Sequence, residues 1–246
     1  MMWHKSDIIL QRISKANDMK DNEITMFTLD LPMYMHPHQI SGVRTGYYEL
    51  NSLLSGWQNN EYVIVGYTNP EDAIEFISNN AYAANRFDYK VAVFAHNKDT
   101  TYSIVDSENT IVLHDYESIF ELRKRVVHLV RKENVKAVFI EDITMLKCPG
   151  VKLGTRRREI EGISRSLRQL LRQHDIPIIS LVPFTSDNAI PKLNKLNSIG
   201  YIEHHADVVI FLMRDKNGKL DPLVTKNRSG SVSDVIDNNS DKTLTF

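Results

Sequence analysis

Six short apolar runs punctuate the chain: YVIVGY at 62–67, VAVFA at 91–95, TIVL at 110–113, AVFIE at 137–141, IPIISLV at 176–182 and DVVIFLM at 207–213. Each is short for a helix and lacks the polar alternation of a strand with one wet face, so each reads as a strand covered on both sides. Helical periods fall between them. In 117–133, Ile119, Leu122, Val126, Leu129 and Val130 recur at three- and four-residue spacing, and in 156–174 Ile160, Ile163, Leu167, Leu170 and His174 share one side. Strands that alternate with helices predict an α/β domain with a mostly parallel central sheet flanked by crossover helices. The tail, PLVTKNRSGSVSDV and then LTF, reads as short strands joined by turns, and DNNSD at 237–241 as a polar turn.

With 246 residues the chain can bury a full core. The compact domain is expected over 42–246, preceded by an N-terminal helix and irregular linker at 1–41. In that first part Ile8, Ile9, Ile13 and Met19 suit a short amphipathic helix, and Pro32 and Pro37 interrupt the stretch beyond it. Basic and acidic side chains nearly balance, 30 against 31, so global charge points to no partner. A single cysteine, Cys148, rules out an internal disulfide framework. The N-terminal MMWHKSDIIL lacks the apolar centre of a secretion signal, and no run approaches the ~18 apolar residues of a membrane span. A cytoplasmic protein with no membrane partner is expected.

The stretch EYVIVGYTNPEDAIEF at 61–76 has the strand, turn and helix outline of a phosphate-gripping loop. A loop of the form G-x-x-x-x-G-K-[ST] needs glycines so that amides can point at phosphate, a lysine for the β and γ charges and a hydroxyl for Mg²⁺. Only Gly66 is offered. Counting from it, Glu71 and Asp72 stand where glycine and lysine belong, or, one register on, Asp72 and Ala73 followed by Ile74. Carboxylates at that helix start would face a triphosphate, at about 4 kcal/mol per like-charge pair for ~4 Å and an effective dielectric near 20. They suit the helix itself, because they complement the positive end of its dipole. The stretch therefore reads as a stable helix start rather than a phosphate grip.

The flanking residues are more specific. GVRTGYYELN at 42–51, followed by Ser55-Gly56, resembles the GVPTG…LD…SG opening of the C-terminal motor domain of DnaB-type replicative helicases. RREIEGISRSLRQL at 157–170, then Ile176-Pro177, is similar to that family's helix and following strand. GYIEHHAD at 200–207 resembles its GSIEQDAD, Arg214-Asp215 its RD, and KNRSG at 226–230 its KQRNG. The matches run in order over most of 42–236. The resemblance implies a RecA-like P-loop NTPase fold, with short antiparallel strands at the C-terminus, assembly into a ring and a role near DNA replication.

It also implies where chemistry has been altered. Asp72, Ala73 and Ile74 stand where the family has Gly-Lys-Thr. FAHN at 94–97 aligns with F-S-L-E, so Asn97, which cannot act as a general base, replaces the glutamate that polarises the attacking water. Only thirteen residues separate Asn97 from Ile111, so helices of the family are missing there. Glu141 falls on the aspartate of the Mg²⁺-binding strand, with Asp142 beside it. Pro183 replaces a glutamine that senses the γ-phosphate and has no side-chain donor. Ala73, Asn97 and Pro183 are thus three degenerate catalytic positions. No cofactor is expected on this reading.

Lys226 and Arg228 match the basic pair that the family inserts into a neighbour's nucleotide site, where an arginine finger stabilises transition-state charge. The alternative for them is an exposed strand and turn. Eight basic residues lie in 147–172: Lys147, Lys152, Arg156, Arg157, Arg158, Arg165, Arg168 and Arg172. The last three fall opposite the apolar stripe, which predicts a solvated or subunit-facing surface. The loop KCPGVKLGTRRR at 147–158 occupies the place of a pore loop that touches single-stranded DNA, and Lys192 and Lys195 can add to it, unless these residues are basic for solubility alone. His204 and His205 are adjacent and point apart, which argues against a metal. Cys148 reads as an ordinary thiol.

The expectation is a DnaB-like domain without ATP hydrolysis, a binding or assembly component of DNA replication whose partners are single-stranded DNA, an intact replicative helicase or copies of itself. Two alternatives stand beside it. One is an active helicase or translocase using ATP and Mg²⁺ at Glu141 and Asp142; the other is a regulator lending Lys226 and Arg228 in trans.

Overall fold

The computed structural model describes residues 40–96, 108–114, 116–150, 154–185 and 190–233. The segment at 7–19, Asn97, Lys152 and the C-terminal LTF lie outside the described residues. The elements in order are α1 (Tyr48–Leu54), β1 (Tyr62–Tyr67), α2 (Pro70–Arg86), β2 (Val91–Phe94), β3 (Thr110–Leu113), α3 (Ile119–Glu133), β4 (Ala137–Ile140), α4 (Arg156–His174), β5 (Ile178–Pro183), β6 (Val208–Arg214) and β7 (Leu220–Asn227). Short 3-10 turns cover Ile143–Met145, Leu193–Leu196 and Ile202–His204.

The strands form one sheet in the order β3-β2-β4-β5-β1-β6-β7. Every neighbouring pair is parallel except β6 and β7, which run antiparallel with a register irregularity at Val209 and Ile210. The apolar runs are continuous because both faces of the sheet are covered. Tyr62, Ile64, Phe94, Val138, Ile140 and Ile178 face the side that carries Leu122 and Val126 of α3 and Ile163, Leu167 and Leu170 of α4. The alternate residues Val63, Val65, Val93, Phe139, Ile179 and Leu181 face Leu50 of α1 and Phe76, Ile77 and Ala81 of α2.

Local signals set the helix ends. Ser118 and Glu121 form a reciprocal capping box, so α3 begins two residues later than its apolar period, and Asn134 ends it in the left-handed region at φ 58. Thr155 caps α4, and Asp175, at φ 53, closes it. Ile176 and Pro177 precede β5 because the Ile176 N–H still reaches back to the Leu171 carbonyl at 3.4 Å. No helix among the described residues is long and apolar enough to cross a membrane.

Candidate functional site

The C-terminal ends of β1, β5 and β4 lie side by side and gather Gly66, Pro183, Glu141 and Asp142 along one sheet edge. Thr68 and Asn69 carry the chain from β1 into α2. The Asn69 side chain accepts the Glu71 N–H at 3.1 Å, the Asn69 carbonyl accepts the Asp72 N–H at 2.9 Å, and Pro70 has no N–H. Helix-start amides are what make such a turn an anion seat. Here the chain's own groups take up those of Glu71 and Asp72.

Asp72 does not face the turn. The residue is 5% exposed, and its Oδ1 receives Arg214 Nε at 2.9 Å and Nη2 at 2.5 Å. Arg214 also reaches Glu75 at 2.8 Å. The sequence placed two carboxylates before a phosphate; Asp72 instead turns to the guanidinium at the end of β6, and Glu71 is exposed. Ala73 is buried in the core under α2, and Ile74 is half-buried. At Gly66 an added Cβ would stand 2.6 Å from the Phe211 ring and 3.1 Å from the Phe184 ring. The two rings meet edge to face at 4.9 Å, so their packing over the end of β1 itself demands glycine.

On β4's side the carboxylates are engaged. Glu141 accepts the His96 N–H at 2.7 Å, and Asp142 Oδ1 accepts the amide and hydroxyl of Thr144 at 2.7 and 2.6 Å. Tyr67 donates its hydroxyl to Asp142 Oδ2 at 3.4 Å. Burial pushes the Asp142 carboxyl up from its usual range and holds the His96 imidazole down. The His96 ring lies 4.6 Å from that of Tyr116. Pro183 ends β5 in register with Tyr67.

Lys226 and Arg228 sit at the opposite edge. Asp207, just before β6, accepts the Tyr62 N–H at 3.0 Å, a bidentate Arg168 at 2.9 and 3.0 Å, and Arg228 at 2.9 Å. Lys226 donates to the Glu203 carbonyl at 2.7 Å, and burial together with Arg228 holds its ammonium below the usual lysine range. Tyr62 opens β1 and Gly66 lies four residues on, so this cluster stands roughly 13 Å along the strand from the phosphate-loop position. Arg168 departs from the solvated face expected of it. Its side chain is 15% exposed, because Asp207 lies beside α4.

Around the basic loop, Lys147 pairs with Glu117 at 3.2 Å, and Arg156 holds the Leu146 carbonyl and Glu159, each at 2.5 Å. Arg157, Arg158 and Lys192 are exposed and Lys195 is half-buried. Arg157 lays its guanidinium over the Tyr201 ring, 4.0 Å from the centroid. Burial and Glu159 raise the Cys148 thiol above its ordinary value. Among the described residues no three His, Cys, Asp or Glu side chains converge on a metal position. Three features escaped the sequence reading: the Asp72–Arg214 pair, the Asp207 cluster and the Tyr201 contact. The pairs lie 142, 39 and 44 positions apart, beyond any local pattern.

The arrangement is that of a RecA-like α/β domain. The chain superposes on the solved structure of a DnaB-like replicative helicase with a TM-score of 0.69 at 18% identity, covering 87% of this chain and 63% of that one. A KaiC-like protein from Pyrococcus horikoshii aligns with a TM-score of 0.58 at 15% identity over 79% of this chain and 92% of that one. The family model for the DnaB-like helicase C terminal domain matches residues 96–246, more than half of the sequence, and the chain belongs to that family. The replicative DNA helicase DnaB of Mycoplasma genitalium is 24% identical over 78% of this chain and 53% of its own length. The chain spans about half the length of several curated relatives that it matches.

Proposed function

We propose that this DnaB-like domain does not hydrolyse ATP and serves DNA replication as a binding or assembly component, with single-stranded DNA and either copies of itself or an intact replicative helicase as partners. The observation that carries this reading is the start of α2. Asn69 and Pro70 complete that helix start from within, Ala73 is buried where a lysine would have to stand, and Asp72 binds the nearby Arg214. A triphosphate arriving there meets no lysine within 66–74, and Phe184 and Phe211 pack against Gly66. The residues present do not fit the γ-phosphate grip of a helicase. Calorimetry with Mg·ATP, paired with a phosphate-release assay, tests the reading: no micromolar binding and no turnover are expected. Micromolar affinity with turnover would return the chain to the active helicases, with Glu141 and Asp142 as the Mg²⁺ side.

A second reading rests on Lys226 and Arg228. Their place on the edge away from Gly66 keeps them from a nucleotide site in their own chain and leaves them for a neighbour's, with the Arg228 side chain 53% exposed. Mixing the chain with an intact replicative helicase and comparing Arg228→Ala with the parent decides it. An unchanged partner ATPase removes this reading.

A further inference from the structure

The chain from 200 to 207 runs alongside α4. Gly200, at φ +144, lies against the Arg157 carbonyl, where an added Cβ would come within 2.6 Å; His205 Nδ1 lies 3.3 Å from Ser164 Oγ; Asp207 meets Arg168. Within this track Tyr201 takes φ 51 and ψ 31, the left-handed region. For a bulky side chain that conformation is strained, and such strain persists where the surroundings or a function maintain it. Burial of the ring does not explain it: Tyr201 is 45% exposed. The ring lies under the Arg157 guanidinium at 4.0 Å and stacks at longer range with the His204 ring, centroids 6.0 Å apart and planes at 29°, with the His204 side chain 73% exposed. Arg158 is the exposed next residue of α4, and exposed Lys192 immediately precedes the 3-10 turn that packs on Ile202–His204.

We infer that Tyr201, held out by its strained backbone and backed by Arg157, is a stacking platform for a base of single-stranded nucleic acid, with Arg158 and Lys192 receiving the adjoining phosphates. A half-exposed aromatic ring among cations, shared among the described residues only with the mobile-ended side chains of Arg157 and His204, suits a base and its phosphates, because every base offers a π-face to stack. An acidic peptide fits less well, since its carboxylates would use the cations alone and offer no π-face to the ring. The inference rests on the DNA-binding part of the proposed function and adds to it the group that would read the base rather than the backbone.

The test is fluorescence anisotropy of the full chain with a labelled oligothymidylate and with an abasic strand of equal length, at several salt concentrations. Tyr201→Ala is expected to weaken binding to the thymidylate about five- to hundredfold and to leave the salt slope unchanged. Tyr201→Phe should bind within about twofold of the parent, and Arg158→Ala should lower the salt slope by about one. The parent should prefer the base-bearing strand, and Tyr201→Ala should lose that preference. Tyr201→Gly removes the ring and the backbone strain together, so it should melt no lower than the parent while binding as poorly as the alanine variant. A parent that binds thymidylate no better than the abasic strand, or a Tyr201→Ala that binds as tightly as the parent, overturns the platform alone. A parent that binds neither strand at low salt overturns the DNA-binding reading with it.

Discussion

At the scale of single residues, the turn from β1 into α2 is held by packing and charge contacts of its own. Gly66 looks in the sequence like a remnant of phosphate binding, yet the rings of Phe211 and Phe184 at 2.6 and 3.1 Å from an added Cβ explain the glycine without any ligand. Gly66→Ala should therefore destabilise the domain by about 1–3 kcal/mol, the range for overpacking a core. Urea unfolding measures this, and Phe211→Leu in the same chain should recover part of the loss; an alanine variant as stable as the parent refutes the packing account. Asp72 is a second case. Replacing it by Ala leaves Arg214 with Glu75 and the Gly218 carbonyl and should cost about 1–2 kcal/mol, as for loss of a charged hydrogen bond. It should not create nucleotide affinity, because the lysine and the free amides are still missing.

Among the elements, α4 is tied to the sheet by charge as well as by apolar packing. Its Arg168 forms two bonds to Asp207, whose other carboxylate contacts are the first amide of β1 and Arg228. With Asp207 only 6% exposed, Asp207→Ala strips Arg168 of its carboxylate, leaving it the His205 carbonyl, and leaves the Tyr62 N–H without its acceptor. A loss of about 3–5 kcal/mol is expected, as for other broken buried pairs. A double-mutant cycle with Arg168→Met should show strong coupling, whereas additive losses would mean that the two side chains stabilise separately. The helix period of α4 was legible because Ile160, Ile163, Leu167 and Leu170 recur on one side. The task of Arg168 was not. A basic residue off the apolar stripe looks solvated until the chain at 205–207 is seen to lie against it.

For the molecule as a whole, half-buried titrating groups near the sheet edge tie stability to pH. Burial holds His96 below the unfolded value of 6.5, so the stability it contributes is present above that value and is lost as pH falls through the folded value. Asp142 is raised, so its contribution has the opposite sign: full below the carboxylate's unfolded value of 3.8 and lost as pH rises through the folded one. Thermal melts between pH 7.5 and 5.5 should show His96→Gln losing less stability on acidification than the parent, and parallel curves would remove His96 from the account. The sequence by itself determined the α/β class, the six parallel strands, the helix between β4 and β5 and the absence of a lysine at the start of α2, because these depend on local periodicity and residue type. Only the tertiary structure decided that Asp72 turns to Arg214, that Gly66 yields to two aromatic rings, that Arg168 serves Asp207 and that Tyr201 stands out under Arg157. The physical reason is that a charge or a ring is assigned its partner by whichever group the fold brings within about 4 Å, and a sheet that orders its strands 3-2-4-5-1-6-7 brings together residues more than a hundred positions apart.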